Sequence, residues 1–201
     1  MLLQPWEVNG YGTPIYASAG YTFKIEPPFV IKEPKQRYTA YAERNPTGQY
    51  RRTFTLPDEW GRGGQTFLRF DGVMSAFYVW LNGRQVGYSQ GSMEPSEFNV
   101  TDYLRSGENL LAVEVFKYSD GSYLEDQDFW RFGGIHRDVT IFHTADLCLR
   151  DFALRTEPDG GGILQDQTGQ RRWILSVNPQ FSCYHGQTGE GYHLVATLLD
   201  E

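Results

Sequence analysis

One stretch of the sequence, residues 119–130, carries most of the side chains that could do chemistry. It holds four acids, which are Asp120, Glu125, Asp126 and Asp128, beside aromatic residues and a glycine. Polar and apolar residues alternate here with neither the helical period of 3.6 nor the strand period of 2, so we expect an irregular loop. Carboxylates beside aromatic rings suit a polyhydroxylated ligand or a hard cation. We call this stretch the acidic loop.

The composition favours an all-β protein with a sizeable core. Of the 201 residues, 40% are hydrophobic and 15% aromatic, and there are 22 glycines. Aromatic side chains pack well on pleated sheets and glycines suit turns. The net charge is −7 and the basic residues are scattered. Phosphate binding needs a clustered basic surface, so no nucleic-acid partner is expected.

The cysteines, the histidines and the hydropathy of the sequence bear on disulfides, zinc sites and membrane association. Cys148 and Cys183 can either pair or stay free, and two cysteines do not make a disulfide scaffold. The four histidines show no zinc-site spacing with them, so we expect satisfied or exposed histidines. No apolar run approaches the roughly 20 residues of a membrane span. No signal-peptide pattern is visible at the N-terminus, so we expect a cytoplasmic protein with no membrane partner.

Short strands must position the acidic loop. Alternation and apolar runs predict strands near 50–56, 66–70, 76–81, 85–89, 97–100, 111–115 and 139–143. Asn82-Gly83 predicts a type I′ hairpin, because both residues accept a positive φ. We expect the strand at 139–143 to close the sheet of 111–115, Phe77 and Trp80 to be core, and Thr101 to cap a single turn that runs to Arg105.

The pattern of strands predicts two domains. Short strands with turn chemistry between them indicate a jelly-roll β-sandwich over residues 1–145. New alternating segments begin near 147 and continue at 173–177 and 192–198. We therefore expect residues 146–201 to be the incomplete start of a second β-sandwich domain.

A colinear series of motifs connects the sequence to a known family. In chain order they include Gly10-Tyr11-Gly12, Asn45-Pro46-Thr47-Gly48, Phe70-Asp71-Gly72-Val73, Trp80-Leu81-Asn82-Gly83-Arg84, Pro95-Ser96-Glu97-Phe98 and Arg137-Asp138-Val139. With the acidic loop, they resemble the large β-galactosidases of glycoside hydrolase family 2 from about Trp6 to His143. The acidic loop favours this branch over the glucuronidase-like branch, which shares mainly the Gly-Ile-x-Arg portion.

The resemblance implies a sugar-binding jelly-roll domain followed by an immunoglobulin-like sandwich. In the family, a (β/α)₈ barrel carries the two catalytic glutamates of a retaining mechanism. The chain is then expected to be a fragment of a retaining β-galactosidase that hydrolyses terminal β-D-galactosides, and to be inactive alone. By resemblance, the intact enzyme uses sodium and magnesium and is a homo-oligomer, whereas no cofactor is expected on the isolated chain.

Two residues carry the family's substrate contacts over to this sequence. Asp128 matches an aspartate that reaches into the active site, ligates sodium and contacts the galactose 6-hydroxyl. Ser18 and Ala19 stand where the family usually has asparagine and valine facing the galactose. Serine keeps a hydrogen-bonding group but loses the reach of the amide. The resemblance therefore predicts a strong contact at Asp128 and a weaker one at Ser18.

Other interpretations of the same residues compete with this one. One alternative is that Glu125 and Asp128 form an acid/base pair, since retaining glycosidases use two carboxylates about 5 Å apart. Glu125 and Asp126 are instead expected to be solvated. Tyr123, Phe129 and Trp130 are expected to hold the loop rather than to stack on sugar. The chain could also be a stand-alone, lectin-like carbohydrate-binding module, or a scaffold for subunit contacts.

Overall fold

The structure, a computed structural model, describes residues 4–18, 20–31, 44–61, 63–159, 173–186 and 188–199. Its strands are β1 (Thr47–Thr55), β2 (Gln65–Phe70), β3 (Val73–Met74), β4 (Ala76–Leu81), β5 (Arg84–Gln90), β6 (Ser96–Asn99), β7 (Glu108–Phe116), β8 (Gly134–Ile135), β9 (Val139–Thr144), β10 (Leu147–Pro158) and β11 (Trp173–Cys183). Within the described residues, 3₁₀ turns cover Asp58–Gly61, Thr101–Tyr103 and Asp120–Tyr123. The prediction of an all-β protein is confirmed.

The chain divides into two compact units. The first comprises the residues up to 62 together with Thr66–His143, and the second comprises Gly63–Gln65 with the residues from Thr144 onward. The assignment of residues 146–201 to an immunoglobulin-like domain stays a prediction. No helix in the described part of the chain is long and apolar enough to cross a membrane.

The first unit is a sandwich of antiparallel sheets. One sheet has the order β1-β7-β4-β5, a second has the order β6-β2-β9, and β3 pairs with β8. Along β7, Leu111, Val113 and Val115 are buried and the residues between them are more exposed, as the period of 2 predicts. β7 lies between β1 and β4, and its last residue, Phe116, pairs with Ala76 at the start of β4, so the acidic loop begins beside the start of β4.

The core lies between the two larger sheets. Val79 and Val115 are fully buried on one side, and Leu68 and Phe70 face them from the other. Burying one such side chain contributes about 1.5–3 kcal/mol. The core is therefore large enough to fix the positions of the loops at the sheet ends.

The predicted hairpin is confirmed in detail. Leu81 pairs with Arg84, and Asn82 and Gly83 both have positive φ, 54° and 80°. The Asn82 side chain also donates to Asn109 Oδ1 at 2.8 Å. Asn109 is completely buried, so the turn is anchored in the core as well as by its own backbone preference.

Three expectations about the strands and turns were wrong. β9 pairs with β2 in the opposite sheet rather than beside β7, because the chain crosses the sandwich through β8 before β9 begins. Trp80 comes three residues after the buried Phe77, so its side chain points to the opposite, outer face of β4 and is only half-buried. The 3₁₀ turn ends at Tyr103, and Thr101 is its first residue rather than its cap.

In the second unit, β10 and β11 form an antiparallel hairpin. Cys148 lies opposite Ser182 and Cys183 opposite Leu147, so the two cysteines are one position out of register. Successive side chains on a strand point to opposite faces, and both thiols are free. The open question about their pairing is thereby answered for this structure.

The alternating segment at 192–198 is not a strand. Residues 192–199 have no regular secondary structure, and Tyr192, Val195 and Leu198 are exposed. A strand needs a neighbouring backbone to satisfy its N–H and C=O groups, and none among the described residues pairs with this segment. The prediction of a strand here was wrong.

Candidate functional site

The acidic loop begins just after β7 and leads to β8. Its first part is the 3₁₀ turn Asp120–Tyr123. Ser122 Oγ accepts a hydrogen bond from the Ser119 amide at 3.0 Å, and Ser75 Oγ donates to Ser119 Oγ at 2.9 Å. The rest of the loop is irregular, as predicted, apart from this one turn. Ser75 lies between β3 and β4, so the turn is fixed to the sandwich.

Tyr123 holds the middle of the loop. Its hydroxyl donates to the Phe29 carbonyl at 2.7 Å and accepts from the Glu26 amide at 3.0 Å. Its ring packs against Tyr21 and Phe23, with centroids 5.1 and 5.4 Å away. The hypothesis that Tyr123 holds the loop is confirmed.

Two of the four acids are occupied within the fold. The Glu125 carboxylate accepts hydrogen bonds from the Ser92 amide at 2.6 Å and the Ser92 hydroxyl at 2.7 Å. Asp126 pairs with Arg131, whose other amino group donates to the Glu125 carbonyl at 3.2 Å. Glu125 is half-buried, so the expectation that it is solvated was wrong. Both carboxylates are thus structural elements of the loop.

Asp128 is in a different state. It is exposed, and within the described residues its carboxylate has no hydrogen bond or ion pair. Arg131, a candidate partner for it, is used by Asp126 instead. The loop thus engages Glu125 and Asp126 and leaves Asp128 free to contact something outside.

The aromatic residues after Asp128 are less buried than expected. Trp130 is 53% exposed and touches Tyr16 edge-on at 5.1 Å between centroids. The Phe129 ring lies under the Arg131 guanidinium at 5.7 Å. Phe129 therefore contributes to holding the loop, whereas Trp130 also presents a large aromatic surface next to Asp128.

The Ser18 segment runs beside the acidic loop. Ile15 forms an antiparallel bridge with Arg131, whose amide donates to the Ile15 carbonyl at 3.0 Å. The Arg131 guanidinium also donates to the Gly20 carbonyl at 3.3 Å. Ser18 is half-buried between these two attachments. Arg131 thus joins the two segments predicted to contact sugar, while Ala19 lies outside the described residues.

A buried ion pair lies beneath the loop and was not expected from the sequence. Glu7 Oε1 and Lys117 Nζ are 2.6 Å apart, with side chains 0% and 3% exposed. Nearby, burial raises the pKa of the Tyr118 phenol, although Thr22 donates to its oxygen at 2.7 Å. Tyr118 is therefore neutral at physiological pH. Glu7 and Lys117 are 110 positions apart in sequence, so no local pattern indicates this ion pair.

The described residues contain no complete metal centre. No three acids, histidines or cysteines among them converge as metal ligands, so Asp128 offers one hard oxygen ligand by itself.

Two histidines of the first unit differ in their hydrogen bonding. His143 Nδ1 forms a hydrogen bond with the Thr66 hydroxyl at 2.9 Å. The sequence predicted that each histidine is either hydrogen-bonded or exposed. His136 is neither, because both of its ring nitrogens are buried without a hydrogen-bond partner of good geometry in the described structure.

Residues 3–145 match the sequence profile of the glycosyl hydrolases family 2 sugar-binding domain. The match covers most of the chain, and the chain belongs to this family. The resemblance inferred from the motifs is confirmed.

Curated relatives of the chain are β-galactosidases. The β-galactosidase of Yersinia enterocolitica is 49% identical over 151 residues, which are 75% of this chain and 13% of that protein. The β-galactosidase of Pectobacterium atrosepticum is 50% identical over 151 residues, 75% of this chain and 14% of that protein. The chain therefore spans only a small part of the length of these relatives.

Solved structures of glycosidases share the fold. A β-glucuronidase from an uncultured Clostridium species has a TM-score of 0.54 and 26% identity, covering 66% of this chain and 23% of that one. A β-glycosidase from Bacteroides vulgatus has a TM-score of 0.55 and 22% identity, covering 70% and 17%.

Proposed function

We propose that this chain is the sugar-binding region of a retaining β-galactosidase, an enzyme that hydrolyses terminal β-D-galactosides, and that it supplies Asp128 to the active site. The observation that carries the proposal is the state of Asp128. Glu125 and Asp126 are bound within the fold, and Asp128 is exposed without a partner in the described structure. A loop that is held rigidly by its other residues can present one free carboxylate accurately.

The chemistry of Asp128 suits a galactoside. A carboxylate accepts strong, charge-assisted hydrogen bonds from hydroxyl groups, so Asp128 can hold the 6-hydroxyl of galactose. Ser18, on the segment joined to the loop by Arg131, would be a second and weaker contact. Neither residue is assigned the nucleophile or the acid/base, since the family's catalytic glutamates belong to its barrel domain.

A sodium ion fits the same carboxylate. Hard cations take oxygen ligands, and the exposed, unpaired Asp128 offers one. The ion would add positive charge beside the hydroxyl groups of the bound sugar. Since the described residues supply no second and third ligand beside Asp128, the other ligands would come from the substrate, from water or from other parts of the enzyme. A role for magnesium stays a prediction.

A domain replacement tests the proposal. Residues 6–145 would replace the matching segment of the Pectobacterium atrosepticum β-galactosidase, and the chimera would be assayed on a chromogenic β-galactoside. We expect turnover by the chimera and none by the 201-residue chain alone. A folded chimera without activity, or turnover by the isolated chain, would contradict the proposal.

A stand-alone carbohydrate-binding module is the second candidate, favoured by the exposed ring of Trp130 beside Asp128. Calorimetry of the 201-residue chain with galactose separates the two. The module requires measurable binding by the chain itself. The proposed function predicts very weak binding, because most contacts to the sugar would come from outside the chain.

A further inference from the structure

We infer that Glu7 is a positioning residue that closes the acidic loop at its base and so fixes Asp128 in space. The inference rests on the proposed function for the importance of Asp128, but the closure itself is a property of this chain. Glu7 is far from Asp128 in sequence and does not belong to the acidic loop.

The Glu7 carboxylate contacts both ends of the loop. One oxygen, Oε1, is 2.6 Å from Nζ of Lys117, the residue that follows β7. The other, Oε2, accepts a hydrogen bond from the Gly133 amide at 3.1 Å, immediately before β8. Residues 118–132 therefore form a loop whose two ends are joined through one buried carboxylate.

Backbone contacts surround this junction. The Trp6 amide donates to the Gly133 carbonyl at 3.1 Å, and the Lys117 amide donates to the Pro46 carbonyl at 3.0 Å. The Trp6 indole lies so close to Gly133 and Gly48 that a Cβ at either glycine would overlap the ring. The junction is thus tied to the backbone on both sides, and the Glu7 and Lys117 side chains within it are buried.

The burial of the pair argues for positioning rather than for stability alone. A buried ion pair loses hydration on folding and often adds little net stability, so apolar residues of similar volume can replace it at small cost. Here, however, the same carboxylate also satisfies the Gly133 amide. An apolar replacement keeps the packing and removes the connection between the two loop ends.

The Glu7 contact between the two ends of the loop limits how far the loop can move. Ordering a loop costs conformational entropy, which a contact between its ends offsets. The contacts further along, at Ser92, Tyr123 and Arg131, each hold a single point of the loop. Opening the base would remove the side-chain contact that joins the two loop ends, and the segment that carries Asp128 would become more mobile although these single contacts remain.

Amide hydrogen exchange on the 201-residue chain tests the closure. The variant E7M/K117M removes both charges with little change of volume, and E7Q keeps a single acceptor oxygen, so it can satisfy only one of the two contacts. For E7M/K117M we expect the Arg131 and Gly133 amides to exchange about 10- to 100-fold faster, the range for a lost hydrogen bond to a charged group. The core amides of Val79 and Val115 should change little.

The variant V79A is the matched control for general destabilisation. It creates a core cavity away from Glu7 and should accelerate the core amides while the loop amides change less. Equal acceleration of loop and core amides in E7M/K117M would overturn the inference, as would unchanged loop amides. If E7M/K117M does not fold, E7Q decides the question by the same comparison, with a smaller expected acceleration.

Kinetics of the chimera separate this inference from the proposed function. In an active chimera, E7M/K117M should weaken substrate binding in the same direction as D128N, while a merely destabilised V79A chimera should keep the parent KM for its folded fraction. An inactive chimera would contradict the proposed function alone, since the exchange experiment tests the closure without any activity.

Discussion

His136 should make the stability of the protein depend on pH. Its ring nitrogens are buried without a partner of good geometry in the described structure. Burial lowers the pKa of His136, and the neighbouring Arg137 guanidinium lowers it further. Protonation is therefore less favourable in the folded protein than in the unfolded chain.

The sign and size of the effect follow from proton linkage. Above the unfolded pKa of about 6.5, His136 is neutral in both states and costs no stability. As the pH falls below 6.5, the unfolded chain takes up a proton that the folded protein does not. The free energy of unfolding then decreases, by up to about 1.4 kcal/mol at one pH unit below 6.5, until the pH reaches the lowered folded pKa.

The assay compares the wild-type chain with the variant H136L, a non-ionising residue of similar volume. Urea unfolding followed by tryptophan fluorescence gives the free energy of unfolding of each at pH 7.5 and pH 5.5. The wild type should lose up to about 1.4 kcal/mol more than H136L between these values. An equal loss in both proteins would refute the account of His136, because the contributions of all other groups cancel in the comparison.

Two further predictions concern close packing and buried polar groups. Gly133→Ala places a Cβ against the Trp6 ring and should destabilise the chain by about 1–3 kcal/mol, whereas Gly61→Ala, with no atom near the new Cβ, should be nearly neutral in denaturant unfolding. Asn109→Ala removes a fully buried side chain with both ends hydrogen-bonded and should cost about 2–4 kcal/mol. The exposed Asn9→Ala should change the midpoint little, and equal shifts would contradict this reasoning.

Local patterns in the sequence were enough to predict most strands. Alternation of side chains reports which residues share a face, and the positive φ of Asn82 and Gly83 specifies the hairpin. Alternation does not report which sheet a strand joins, so β9 was assigned to the wrong one. It also cannot tell the two faces of an apolar strand apart, and Trp80 was assigned to the wrong face.

The candidate site was predicted only in part. The resemblance indicated Asp128, and the structure adds the physical reason that it alone among three neighbouring acids has no partner in the described residues. The junction of Glu7 with Lys117 and Gly133 was not predictable, since Glu7 is 110 residues away from Lys117 and 126 residues away from Gly133 in the sequence. Such pairs depend on the tertiary fold rather than on any local spacing.

The contribution of Asp128 to catalysis is tested most directly in the chimeric β-galactosidase by comparing D128N with D120N. Asp120 is an exposed acid of the same loop whose carboxylate binds only the adjacent Gly121 amide in the described structure, so D120N controls for the change of charge. We expect D128N to lower kcat/KM by roughly 100-fold or more, since a charge-assisted contact to substrate is lost, and D120N to stay within a few-fold of the parent chimera. Equal, small effects of the two substitutions would contradict the assignment of Asp128 to the active site.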